Sequence, residues 1–272
     1  MRVPVVHQQG RRRRARYARL LWNTAEVVVT LGVVLLLLVV HQLWWTNRQA
    51  KEAAERKVQA LERQWEDEKE GEGEREGERE GETEGSGEPL ARGSGSSSGS
   101  SSGSGFGTGT GGGLSGGGGR PRYDQAYAVL GIPRLGLRVP VAEGVGASGV
   151  LDKGYVGHYP DTAQPGRVGN FALAGHRNTH GEPFRYLDRL RRGDRVEVET
   201  RAAVYTYVVD RTLPRTSPGD GGTIRAIPRS TVRPAYGYTE PAHYLTLTTC
   251  TPQYTSTYRL VVWGKLRSVR PR

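Results

Sequence analysis

Residues 243–250 read His243-Tyr244-Leu245-Thr246-Leu247-Thr248-Thr249-Cys250, a strand-like run that ends at the single cysteine of the chain. Outward from it, the same texture recurs: short apolar segments at 126–132, 135–141, 170–174, 195–200, 203–210 and 257–263, set apart by Gly and Pro. Only 183–190 and 149–154 read as helical. Several short strands with turn signals between them predict an all-β barrel or sandwich. This texture begins at residue 121. A domain over 121–272 is therefore expected, roughly 150 residues with one core.

The sequence before residue 121 has a different character. Residues 25–45 form an apolar run with Val-Val-Val-Thr-Leu-Gly-Val-Val-Leu-Leu-Leu-Leu-Val-Val at its heart. It is long enough, at about 1.5 Å per residue, to cross about 30 Å of hydrocarbon. A tail over 1–24 precedes it, with arginines at positions 2, 11–14, 16 and 19. That asymmetry predicts a cytoplasmic N-terminus, with everything after the span outside. Trp44 and Trp45 sit where an interfacial aromatic anchor belongs. A cleavable signal peptide is the competing reading, but bulky and basic residues follow the run rather than a small-x-small cleavage site.

Residues 46–65 are good helix formers, with Ala54, Val58, Leu61 and Trp65 spaced by four, three and four. Under three heptads is short for a dimerising coiled coil, so a solvated juxtamembrane stalk is expected. Residues 66–84 are nearly all Glu and Gly, and 93–119 nearly all Gly and Ser. Neither stretch offers apolar surface enough to offset the entropy of ordering it, so 66–120 reads as a disordered tether with a span of roughly 40 Å. Its glycines do not resemble a phosphate loop, because no Gly-Lys-Ser/Thr follows.

The net charge of +11 sums a basic tail, an acidic middle and a domain with 22 Lys or Arg against 12 Asp or Glu. A basic domain favours polyanions, including anionic lipid and wall polymers, or is simply soluble. No basic repeat or RNA-binding signature accompanies it, so no nucleic acid partner is expected.

A lone cysteine forms no internal disulfide, and in an exported domain it is a reactive thiol or a small buried core residue. A cysteine nucleophile needs a base or cation beside it and a group to hold the oxyanion. The domain offers His158, His176, His180 and His243 as bases. His243 lies seven residues before Cys250 on one strand, and an odd spacing sends the two side chains to opposite faces. His176 ends the strand-like run Phe171-Ala172-Leu173-Ala174-Gly175-His176, where a polar residue can emerge at a barrel rim. Residue types alone leave the choice of base open.

Thr246-Leu247-Thr248-Thr249-Cys250 is similar to the Thr-Leu-x-Thr-Cys signature of sortases, with Arg259 following in Tyr258-Arg259-Leu260-Val261-Val262. Upstream, Gly157-His158-Tyr159-Pro160, Pro165-Gly166, Gly169-Asn170 and Ala174-Gly175-His176-Arg177 resemble the run leading to the sortase histidine. The resemblance covers essentially residues 126–266 and implies an eight-stranded β-barrel with the site at one end. It implies Cys250 as nucleophile, His176 as acid/base, Arg259 as the group that orients substrate and holds the oxyanion, and Thr249 as a substrate contact. It also implies peptide transfer. A sorting motif near the C-terminus of an exported protein is cut between Thr and Gly through a thioester, and the protein passes to a cell-wall precursor amine. The Arg-rich composition and short histidine-to-cysteine run resemble class E, whose members favour Leu-Ala-x-Thr-Gly over Leu-Pro-x-Thr-Gly.

No cofactor is expected, and a metal site finds no support: Asp152, Asp161, Glu182 and Asp188 are scattered and make no EF-hand loop. Three other readings stay open: a pilus-polymerising sortase, a cysteine peptidase, and a non-catalytic envelope-binding protein.

Overall fold

The computed structural model describes residues 9–82 and 121–272. Eight strands close a barrel in the order β1-β2-β3-β4-β7-β8-β6-β5. They are β1 (Ala126–Ile132), β2 (Leu137–Glu143), β3 (Val156–His158), β4 (Gly169–Ala174), β5 (Arg195–Thr200), β6 (Ala203–Thr216), β7 (His243–Thr251) and β8 (Tyr258–Pro271). β2 with β3 and β4 with β7 run parallel; the other neighbours are antiparallel. The all-β expectation holds. β3 escapes the sequence reading because three residues are too few to show a period. The two helical expectations shrink to single 3-10 turns, Leu151–Lys153 and Leu187–Arg189. β6 and β8 outrun their apolar segments: each is 14 residues long, and past the core they pair with one another.

Period-two alternation sorts the barrel's side chains. Leu130, Val141, Leu173, Val198, Leu247 and Val262 are among those that fill the interior. On the opposite face of β6, β7 and β8, Leu213, Tyr244, Val261 and Trp263 make a second cluster with Tyr238, which comes from the long β6–β7 connection. Buried Asp220 pins that connection. Its carboxylate accepts from the hydroxyls of Thr216, Ser230 and Thr231 and from the Thr231 N–H. Burial works against ionisation here, but these hydrogen bonds outweigh it and hold the Asp220 carboxyl below its usual range.

A third cluster joins the barrel to the N-terminal helix. α1 (Gln9–Glu82) is one continuous helix of 74 residues. Its most apolar window has a mean hydropathy of 2.4, with none of it buried against protein. Val29, Leu31, Leu35, Leu37 and Val40 are all exposed around its circumference, as in a helix solvated by lipid. Further along, Ala50, Ala54, Val58, Leu61 and Trp65 are buried. Val58, Leu61 and Trp65 pack on Ala126, Val129, Ala142 and Val150. The stalk is therefore not solvated: its 4-3-4 stripe is neither a coiled-coil seam nor a bare surface but the face that docks on β1 and β2. A sequence window cannot distinguish these, because an apolar stripe does not name its partner.

Polar contacts fix both ends of the docked stretch. Near its start, Asn47 Oδ1 accepts a hydrogen bond from the Gly181 N–H at 2.6 Å. Gly154 lies so close to α1 that a Cβ there would sit 2.9 Å from the Ala50 carbonyl oxygen, and its φ of +79° also calls for glycine. At the far end Glu68 pairs with Arg201 at 3.0 Å, and the Arg272 guanidinium lies 4.8 Å from the centre of the Trp65 ring. Helical order thus passes the boundary expected at residue 65, and the Glu68–Arg201 pair ties the start of the Glu/Gly tract to the barrel. Residues 83–120, the remainder of the expected tether, lie outside the described residues.

Trp65→Ala is expected to remove about 3 kcal/mol of docking free energy, the scale for deleting a buried Trp. Amide exchange over residues 47–68 should then quicken roughly 100-fold while the barrel strands keep their protection. Unchanged exchange in the helix would show that it does not depend on this contact.

Candidate active site

β7 carries its residues to two faces. Leu245 and Leu247 go inward, so Thr246, Thr248 and Cys250 face outward. On the neighbouring β8, Leu260 and Val262 go inward and Arg259 faces outward. Cys250 and Arg259 are direct register partners across the antiparallel pair. Their Cβ atoms therefore stand about 5 Å apart on one face. Both side chains are partly exposed, as a group that meets substrate must be.

The histidine segment runs along the other edge of β7. Ala174 pairs with Thr248, and the Gly175 N–H donates to the Thr248 carbonyl at 3.2 Å. The Thr249 hydroxyl donates to the Gly175 carbonyl at 2.8 Å. One residue beyond His176, Arg177 Nη1 donates to the Cys250 carbonyl at 3.3 Å and to Thr251 Oγ1 at 3.0 Å. His176 is thus held level with Thr249 and Cys250 by clamps on both of its neighbours. Its own carbonyl accepts from the Phe184 N–H at 3.0 Å. Gly175 must be glycine for the same packing, because a Cβ there would lie 2.7 Å from the Phe184 ring. His176 Nε2 meets Asp152 Oδ1 at 2.9 Å. Asp152 comes from the 3-10 turn Leu151–Lys153, so a third segment orients the imidazole.

Cys250, His176 and Arg259, the residues singled out in the sequence, lie at one end of the barrel. Thr249 is there too, but it is buried and its hydroxyl is committed to Gly175. It ties the histidine segment to β7 rather than facing a ligand through its side chain. His180 lies beside His176, with ring centres 5.2 Å apart, whereas His158 and His243 stand away from the site. His158 is fully buried, bonded to Glu143 at 2.6 Å and to the Tyr127 hydroxyl at 2.9 Å. Burial, with Glu143 adding to it, pushes the Tyr127 hydroxyl far up, so it keeps its proton.

His243 sits at the opposite end of β7, bonded through Nδ1 to the Gly166 carbonyl at 2.8 Å. Seven residues of strand put it roughly 23 Å from Cys250, which adds distance to the difference in face. His243→Ala is expected to leave turnover within about twofold of wild type. A steady-state rate as low as that of His176→Ala would contradict this.

Three features went unread in the sequence. Arg177 is buried and also meets Asp188 at 3.1 Å; its only signal was adjacency to His176. Asp152 had no spacing to connect it with residue 176. A cleft of about 90 Å³ lies beside Arg259 and Thr248, walled by Thr216, Pro218 and Ile224 with Tyr159. The Tyr159 hydroxyl reaches Thr248 Oγ1 at 3.2 Å across its floor. This cleft depends on the β6–β7 connection that Asp220 pins.

Such an arrangement can run covalent acyl transfer: residues bearing a thiol, an imidazole and a guanidinium share one partly open end of the barrel, with a cleft beside Arg259. Comparison with known proteins agrees. Residues 130–267 match the Sortase domain family. Over 252 residues, 91% of this chain, the sequence is 38% identical to sortase SrtE1 of Streptomyces coelicolor, covering 57% of that protein. The chain therefore spans a little over half the length of SrtE1. To SrtE2 of the same organism it is 31% identical over 264 residues, 95% of this chain and 87% of the relative. The crystal structure of sortase E1 from Streptomyces coelicolor with a tripeptide in the active site matches with a TM-score of 0.52 and 46% identity, over 56% of this chain and 94% of that one.

Proposed function

The chain belongs to the sortase family, and from that membership we propose that it is a membrane-anchored cysteine transpeptidase that joins exported proteins to a cell-wall amine. The observation that carries this reading is the register pairing of Cys250 with Arg259 on one outward face, with His176 clamped alongside.

In the proposed reaction, Cys250 Sγ attacks the carbonyl carbon of the Thr in a Leu-Ala-x-Thr-Gly or Leu-Pro-x-Thr-Gly motif. The Thr–Gly bond breaks, His176 gives its proton to the leaving amine, and a thioester remains on Cys250. Arg259 donates to the oxyanion formed on the way. An acceptor amine then attacks the thioester, an amide forms, and the surplus proton passes to His176 as the thiolate departs. The motif residues before the scissile bond lie in the cleft beside Arg259 and Thr248. Asp152 orients the imidazole, Arg177 positions the carbonyl of Cys250, and Thr249 acts by tying β7 to the histidine segment.

We assign the cytoplasmic tail to residues 1–24, the membrane anchor to 25–45 and the extracytoplasmic catalytic domain to 121–272. The docked helix gives this assignment a consequence. Asn47, only two residues past Trp45, binds the loop that follows His176. The rim of the barrel then stands within a helical turn or two of the membrane surface, not at the end of a roughly 40 Å tether. Substrates would be met at the membrane as they emerge.

The test is mass spectrometry of the chain incubated with a Leu-Ala-Asn-Thr-Gly peptide or its Pro counterpart, with and without a glycine-based amine. A cut between Thr and Gly with product joined to the amine is expected. Hydrolysis alone, even with amine present, would make the protein a peptidase. Cleavage of neither peptide would overturn the reading.

A further inference from the structure

The histidine loop adds to His176 and Asp152 a third donor, His180, that peptide transfer does not use. Asp152, His176 and His180 each offer one ligand atom, and all three atoms lie within 4.8 Å of one another. Asp152 Oδ1 is 2.9 Å from His176 Nε2 and 3.6 Å from His180 Nδ1. Tetrahedral Zn²⁺ with ligands at about 2.1 Å separates them by about 3.4 Å, which these two distances bracket. His180 Nδ1 is shielded from solvent and has no hydrogen-bond partner. The two imidazole rings stand 5.2 Å apart at 30°.

The backbone explains how His180 comes back beside His176. His180, Gly181 and Glu182 take φ of +51°, +82° and +50°, a left-handed run that folds the loop over the turn bearing Asp152. Helix α1 clamps both partners: Asn47 holds the Gly181 N–H, and the Ala50 carbonyl abuts Gly154. The three donors therefore come from segments fixed against one another before any ion arrives. Two imidazoles and one carboxylate suit a first-row transition ion rather than Ca²⁺, which takes six to eight oxygen ligands.

We propose that Asp152, His176 and His180 form a site for a divalent transition metal, Zn²⁺ by its chemistry, with a fourth position open to solvent. The ion takes the Nε2 lone pair of His176. Resting on the transpeptidase reading above, a metal bound there removes the acid/base group and silences transfer until the ion leaves. The site is thus a metal-operated brake on the enzyme.

The test uses the full chain in detergent, freed of any polyhistidine tag. It is titrated with Co²⁺, whose visible absorption reports a low-symmetry protein site, and the ion is then displaced with Zn²⁺. Wild type and His243→Ala are expected to bind one equivalent tightly. His180→Ala and the near-isosteric Asp152→Asn should each weaken binding at least about 10- to 100-fold, the loss seen when a group merely supporting a metal ligand is removed. Circular dichroism checks that each variant is folded. Absence of saturable binding, or binding kept in both folded variants, overturns the site. In a second arm, Zn²⁺ should suppress amine-dependent transfer by wild type, and a chelator should restore it. Binding at the site without suppression overturns the brake. The titration needs no catalytic activity, so failure of the site and failure of the transpeptidase reading are told apart.

Discussion

Cys250→Ala is expected to lower the rate of peptide transfer at least about 10⁴-fold, because no other group in the site can form the acyl bond. The thioester adduct, visible as a mass increase on the intact chain with peptide alone, should vanish with it. The fold should not follow. Cys250 is partly exposed on the outer face at the end of β7, and trimming one sulfur there costs under about 1 kcal/mol. Strand pairing with β4 and β8 runs through the backbone, which the substitution leaves intact. The clamp from Arg177 also survives, since it grips the carbonyl of residue 250 and not its side chain. An unshifted thermal midpoint with no adduct and no transfer is therefore the expected pair of results. Residual transfer above about 1% of wild type would remove Cys250 from the mechanism.

Legibility of this chain from its residues was uneven for identifiable reasons. Strands of seven or so residues stand out, either as a continuous apolar run at 126–132 or as Leu/Thr alternation within 243–249. A three-residue strand such as β3 has no period to read, and the outer halves of β6 and β8 carry too little apolar sequence to announce themselves. Cys250 was legible as the lone thiol at the end of a strand, whereas Arg259 was picked out only through the family resemblance. His176 needed the family resemblance, since nothing local joins residue 176 to residue 250. Asp152 and His180 were harder still. Their proximity to His176 depends on left-handed backbone at 180–182 and on a helix arriving from residues 47–50. The same helix shows how a correct pattern can carry a wrong partner. The 54-58-61-65 stripe was visible, but its destination on Val129 and Ala142 depended on tertiary packing alone.

Arg259→Lys tests a finer point than the loss of a charge. Lysine keeps the cation but is a point donor on a flexible stem, whereas the guanidinium is a rigid planar fork. In the structure one tine is spoken for: Nη1 donates to the carbonyls of Ser256 at 2.9 Å and Tyr258 at 3.1 Å. That anchoring fixes the plane of the group, and the remaining donors are left for an oxyanion beside Cys250. The loop supplying Ser256 is itself tied to the histidine side, where the Tyr254 N–H donates to Asn178 Oδ1 at 2.9 Å and Arg185 reaches the Tyr254 hydroxyl at 3.2 Å. The segments that carry His176 and Arg259 are thereby held in one frame on either side of Cys250. A lysine cannot both be anchored at those carbonyls and reach the reacting oxygen. The rate constant kcat is expected to fall about 10²- to 10³-fold, the scale for losing an oxyanion donor, with KM changing little because the oxyanion exists only in the transition state. If Arg259→Lys instead loses less than about fivefold while Arg259→Ala is inactive, positive charge alone suffices and the fork has no role. If the loss falls on KM, Arg259 binds the ground-state peptide, and the oxyanion must be held by other donors at the rim.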